Sequence, residues 1–141
     1  MRILLFGHTY QPSRSEQIRH VLQTLSRTEA ELVAHGDFYD FLSKEFPDVC
    51  HRIGEIDCRG DYTADMALSI GGDGTFLRAA EKIGDRGIPV LGVNIGRLGF
   101  LADVPAEEVE PVLNEILEGK YKIEERSLLQ VEFNGLSLIH I

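Results

Sequence analysis

The sequence predicts an α/β fold, a mostly parallel sheet with helices on both faces, and three observations carry that expectation. Short continuous apolar runs at 2–6, 66–70 and 88–93 alternate with stretches of helical periodicity. The runs are apolar on both sides of the strand rather than alternating, as in parallel strands buried on both faces. Glycine-rich segments follow the second and third runs, at the carboxyl ends where such sheets receive ligands.

Element by element, 2–6 reads as the first strand. A polar loop at 11–15 then opens a helix with apolar positions Ile18, Val21, Leu22 and Leu25. A second strand is expected at 31–34, after which Phe38, Phe41, Leu42 and Phe46 recur at helical spacing until Pro47 stops them, an aromatic stripe suited to a core. The polar stretch 48–64 yields no assignment. Strand 66–70 leads through the glycine turn into a helix from about Thr75 to Ile83, with Phe76, Leu77, Ala80 and Ile83 facing inward, and Gly84 and Gly87 mark its break. Strand 88–93 follows. A last helix starts near Pro105 with Glu107 and Glu108 in its first turn, Val109, Val112, Leu113, Ile116 and Leu117 on one face, and Gly119 past its end.

Composition bounds the function. The 141 residues suit one domain, and 43% hydrophobic with 26% charged residues is a globular composition. A net charge of −9 with no basic run lacks the footprint of a nucleic-acid or anionic-membrane binder, so small-molecule partners are expected. The apolar run at 3–6 is too short for a signal or transmembrane segment, and cytoplasmic residence is the expectation. Cys50 and Cys58, seven residues apart with His51 beside the first, match no zinc-site spacing and read as reduced thiols. His8, His20, His35 and His140 are isolated along the chain, and no Ser-His-Asp or Cys-His constellation assembles.

The chemistry concentrates in Ile70-Gly71-Gly72-Asp73-Gly74-Thr75-Phe76-Leu77-Arg78 and in Gly92-Val93-Asn94-Ile95-Gly96-Arg97-Leu98-Gly99-Phe100-Leu101-Ala102-Asp103. In the first, glycines let the backbone turn through positive φ and approach a ligand, and freed N–H groups at a helix start suit phosphate oxygens. Gly-Gly-Asp-Gly is also the composition of an ordinary tight turn. The spacing lacks the G-x-G-x-x-G register and the Lys that closes a Walker loop. Asp73 is discordant in such a cradle, because a carboxylate repels phosphate unless a cation or a proton-acceptor role offsets it. That makes it the candidate catalytic residue.

Together these two segments, with the later Arg126-Ser127-Leu128-Leu129 run, resemble bacterial NAD kinases. The Gly-Gly-Asp-Gly part is shared with diacylglycerol and sphingoid-lipid kinases and, in related form, with 6-phosphofructokinase. The Gly96-Arg97-Leu98-Gly99-Phe100 block is what points to NAD kinase and away from a lipid kinase domain. The resemblance extends from residue 1 to about residue 133 and is weakest between the first helix and Met66.

It implies a Rossmann-like domain over 1–126 and transfer of the γ-phosphoryl of ATP, with Mg2+ as divalent cation, to the 2′-hydroxyl of the adenosine ribose of NAD. Under that resemblance Asp73 accepts the hydroxyl proton, and Gly71, Gly72, Gly74 and Thr75 hold phosphates. Arg78, one turn on, reaches back toward a phosphate; Phe100 packs against the dinucleotide; Asn94 and Arg97 are further binding candidates. No residue is assigned as a metal ligand. The family continues into a β-rich C-terminal domain that supplies an Asn-Glu pair and most of the oligomerisation surface, and homo-oligomers are expected of the full-length protein. Here a strand at 128–133 begins that continuation. The segment Gly135-Leu136-Ser137-Leu138-Ile139-His140-Ile141 departs from the family and is expected to be an exposed, non-native tail on a truncated frame. The alternative reading of the same motifs is an inactive nucleotide-binding fragment.

Overall fold

A computed structural model describes residues 1–8, 14–97, 99–133 and 136–140, with backbone alone for 130–133 and 136–140. The polar loop at 11–13, Leu98, Gly135 and Ile141 lie outside the described residues.

The chain runs β1 (Arg2–Gly7), α1 (Ser15–Ser26), β2 (Glu31–His35), α2 (Gly36–Glu45), a one-turn α3 (Pro47–Cys50), β3 (Ile53–Ile56), β4 (Met66–Gly71), α4 (Asp73–Ile83), β5 (Val90–Asn94) and β6 (Val104–Pro105). A 3-10 turn (Ala106–Glu108) leads into α5 (Val109–Leu117), and β7 (Leu129–Phe133) and β8 (Leu136–His140) follow. Strands β1 to β6 form one sheet in the order β3-β2-β1-β4-β5-β6, every pair parallel. Strand order reverses between β1 and β4, which makes their carboxyl ends the switch-point crevice of a doubly wound sheet. The strand expected at 128–133 is β7, and residues 136–140 pair with it antiparallel in a separate two-stranded sheet.

Alternation along the strands builds two cores. Ile3 and Leu5 of β1, Leu32 and Ala34 of β2, and Leu68 and Ile70 of β4 face one cluster, closed by Ile18, Val21, Leu22 and Leu25 of α1, Phe38 and Leu42 of α2, and Val109 and Leu113 of α5. Leu4, Phe6, Val33 and Ala67 face the other, closed by Ala79 and Ile83 of α4. The remainder of this second face is covered by the segment that carried no assignment from sequence. Cys58 and Tyr62 are buried there; the Tyr62 hydroxyl donates to the Lys82 carbonyl at 2.9 Å, and the Arg86 guanidinium stacks 4.4 Å above the Tyr62 ring. A loop thus does the work of a helix on that face, which is why no periodicity announced it. Cys50 belongs to the first cluster and Cys58 to the second, so the two thiols stand on opposite faces of the sheet.

Several boundaries and faces differ from the sequence expectation. The 48–64 stretch contains α3 and the edge strand β3. Pro47 ends the aromatic helix but also opens α3, because proline suits a first helical position. Helix α4 starts at Asp73 rather than Thr75, and its buried face is Thr75, Ala79 and Ile83; Leu77 is exposed, as is Leu117 of α5. Strand β5 begins at Val90, after Pro89, not at Ile88.

Gly92, in the middle of β5, has no room for a side chain: a Cβ there would stand 2.6 Å from the Ala102 Cα. We predict that Gly92→Ala costs about 1–3 kcal/mol by overpacking against backbone that cannot yield. Gly72→Ala, at an extended backbone position with no heavy atom of the described residues within 4 Å of the new methyl, leaves stability within about 1 kcal/mol of wild type. Urea midpoints at constant m check both.

Candidate functional site

The site lies at the carboxyl ends of β4 and β5. Gly72 caps α4, so the first N–H groups of that helix open toward the crevice. The glycines here serve in three ways, and positive φ, expected from sequence, is not among them: the described glycines with positive φ are Gly84, Gly87 and Gly119. Gly71 admits the buried Thr75 side chain, whose Oγ1 would lie 2.4 Å from a Cβ. Gly99 admits the Asp73 carboxylate, which a Cβ there would overlap. Among the described residues nothing stands within 4 Å of a Cβ at Gly72, and at Gly74 only the tip of the Arg78 guanidinium does, at 3.8 Å. Gly72 and Gly74 therefore leave open space above the helix start, the space a ligand would use.

Asp73 joins the two glycine segments. Its Oδ2 accepts the N–H of Phe100 at 3.0 Å, and its Oδ1 accepts those of Leu101 and Ala102, each at 3.0 Å. These three backbone donors, Ala102 foremost, hold the Asp73 carboxyl below the usual aspartate range. Asn94, buried at the end of β5, secures the same loop from the other side. Its Nδ2 donates to the carbonyls of Arg97 and, at 3.1 Å, Ala102, while its Oδ1 accepts the Gly96 N–H at 2.7 Å. Both amide protons are thereby committed to the loop, which makes Asn94 a loop-former. The Ile95 N–H donates to the Gly71 carbonyl at 3.1 Å and closes the two segments at their base.

Two further sequence candidates reach the crevice. Arg78 turns back along α4 and its Nη2 donates to Thr75 Oγ1 at 3.4 Å, over Gly74. Phe100 is 96% exposed although its own N–H is fixed by Asp73. Arg97 is exposed on the loop between Asn94 and the undescribed Leu98. Sequence reading missed Arg14: its Nη2 would stand 3.8 Å from a Cβ on Gly96. No motif marks it, because a lone arginine at a helix start looks like any solvated charge. Among the described residues no three His, Cys, Asp or Glu side chains stand together as a metal-binding set. No helix among them is long and apolar enough to cross a membrane.

A six-stranded, doubly wound parallel sheet with glycine turns meeting at the carboxyl ends of β4 and β5, beside the switch point, defines a Rossmann-like α/β domain. Comparison with known proteins narrows this: the ATP-NAD kinase N-terminal domain matches residues 3–121, and the chain belongs to the NAD kinase family. It is 41% identical over 131 residues to an NAD kinase of Bacteroides fragilis, covering 93% of this chain and 45% of that protein. It is 39% identical over 140 residues to one of Porphyromonas gingivalis, covering 96% and 47%. The chain thus spans about half the length of the curated relatives it matches. The crystal structure of yeast NADH kinase complexed with NADH shares the fold, with a TM-score of 0.77 at 22% identity over 99% of this chain and 45% of that one.

Because the folded pKa of Asp73 lies below its unfolded value, the stability it contributes is present above about pH 4 and is lost as pH falls through the folded pKa. Urea unfolding at descending pH should therefore show wild type losing more stability below about pH 4 than Asp73→Asn does. Parallel decline of the two proteins would remove the carboxylate clamp.

Proposed function

We propose that this chain forms the phosphate-binding and proton-accepting part of an NAD kinase, which transfers the γ-phosphoryl of ATP to the 2′-hydroxyl of the adenosine ribose of NAD and yields NADP and ADP. The observation that carries the reading is the placement of the Asp73 carboxylate, held by three N–H groups between an open glycine turn and a fully exposed aromatic ring.

In-line phosphoryl transfer asks the protein chiefly for positioning and charge stabilisation. The helix start at Gly72, Gly74 and Thr75 offers N–H donors to phosphate oxygens, Gly71 gives Thr75 its seat, and Arg78 adds a guanidinium over Gly74. A carboxylate has about four acceptor positions. Oδ1 of Asp73 uses two and Oδ2 uses one, so a position on Oδ2 is left for the ribose hydroxyl proton. As the ribose oxygen bonds to Pγ and the bond from Pγ to the ADP oxygen breaks, that proton passes to Asp73. A loose transition state demands little prior deprotonation, which suits a carboxylate of low basicity. Phe100 presents a ring against which the dinucleotide packs, and Asn94 and Arg97 shape the loop beside it. The Asp73 oxygens face N–H donors, and the divalent cation is assigned to the substrate, bound to the ATP phosphates. NAD and ATP are the small-molecule partners; homo-oligomerisation is assigned to the full-length protein, and cytoplasmic residence fits these substrates.

The test is NADP formation from NAD, ATP and magnesium. Asp73→Ala should lower turnover by about 10²–10⁴-fold, the usual worth of a positioned base. No turnover by wild type, with NAD binding absent in calorimetry, would make the chain the inactive fragment. Phe100→Ala is expected to weaken NAD binding roughly tenfold through lost stacking while leaving the urea midpoint unchanged, since the ring buries nothing in the free protein.

A further inference from the structure

Most arginines of this acidic chain are held by partners away from the crevice. Arg2, Arg19, Arg59 and Arg126 pair with carboxylates, and Arg52 and Arg86 donate to backbone carbonyls. Among the described residues, Arg14, Arg27 and Arg97 have neither kind of partner, and Arg78 donates only to the Thr75 hydroxyl. Arg27 lies at the exposed far end of α1, whereas Arg14, Arg78 and Arg97 stand at the carboxyl edge of the sheet, around the two glycine turns. The carboxylate in their midst, Asp73, directs its charge to three backbone N–H groups and leaves theirs uncompensated. In a chain of net charge −9, such a concentration of unpaired guanidinium groups is the local field an anion would meet.

Arg14 is the member of the set that comes from the other face of the sheet. It immediately precedes α1, which packs on the first core, whereas Arg78 rides on α4, which packs on the second. Its guanidinium reaches the Gly96 turn, where the absent Cβ leaves the backbone bare and where Asn94 holds the turn in place. We propose that Arg14 is a further phosphate-binding residue, gripping the pyrophosphate unit of a nucleotide across the Gly96 turn from the side of the crevice opposite Arg78. The fork of a guanidinium matches two phosphate oxygens at once, which lysine cannot do. The inference rests on the nucleotide-binding reading above and adds to it one residue, Arg14, from the start of α1.

The experiment is calorimetric titration of the 141-residue chain with inorganic tripolyphosphate and, separately, with NAD, at low salt and at about 0.15 M. Arg14→Ala should weaken at least one of the two about tenfold, the size of a lost charge-assisted hydrogen bond. Arg14→Lys should restore only part of it. The reference is Arg27→Ala, which removes the same unit charge from the exposed far end of α1 and should change affinity by less than about twofold. Loss confined to tripolyphosphate places the grip on a donor chain; loss confined to NAD places it on the dinucleotide. Equal effects of Arg14→Ala and Arg27→Ala would overturn the grip while leaving the nucleotide-binding reading intact. A wild-type chain that binds neither tripolyphosphate nor NAD would end both.

Discussion

The carboxylate of Asp73 is the point on which the crevice depends. Three successive backbone N–H groups converge on it from the connection between β5 and β6, a stretch that no regular ladder would otherwise hold. Without that acceptor, the three amides would have to be satisfied by water, and the loop carrying Gly99 and Phe100 would lose its fixed distance from the start of α4. Its neighbours follow from the same constraint. Gly99 lacks a side chain because the carboxylate occupies the space, and Asn94 grips the loop's other edge so that both sides are tied. A single acidic residue in the first turn of a helix, where it also favours the helix dipole, thus sets the geometry of a segment nearly thirty positions along the chain.

Much of this was legible from residues alone. The continuous apolar strands at 2–6, 66–70 and 88–93 carry the parallel sheet, because burial on both faces removes the alternation an exposed face would impose. Both glycine segments fall at carboxyl ends, as their position after those runs required. What the sequence hid was tertiary in origin. Leu77 sits at helical spacing with Ala80, but the sheet packs against Thr75, Ala79 and Ile83, so the apolar residue at 77 faces outward. The cover supplied by Cys58 and Tyr62 has no period to detect, and β3 is a four-residue edge strand in a polar stretch. The glycines were attributed to backbone freedom, whereas Gly71, Gly92 and Gly99 are there for close packing, a cause invisible until their neighbours are known.

The charge pattern carries the same lesson. Net charge led to the expectation of small-molecule partners, yet it said nothing about the distribution of the few arginines. Most of them are held by carboxylates or backbone carbonyls on the flanks of the domain, and of the others Arg14, Arg78 and Arg97 stand where the sheet opens. The sign of the net charge and the local charge at one edge of the sheet are thus separate quantities, and only the first can be read from composition.

Phe100 joins a fixed backbone to a free side chain. Because its amide is already anchored, a ligand that covers the ring has only rotations about two side-chain bonds to arrest, while the main chain arrives ordered. The entropy of building that contact is thus spent during folding, by Asp73, and not at the moment of binding. A change at Asp73 that frees the loop would return that cost to the ligand, so residues with no surface of their own to offer would register in affinity as clearly as those that touch it.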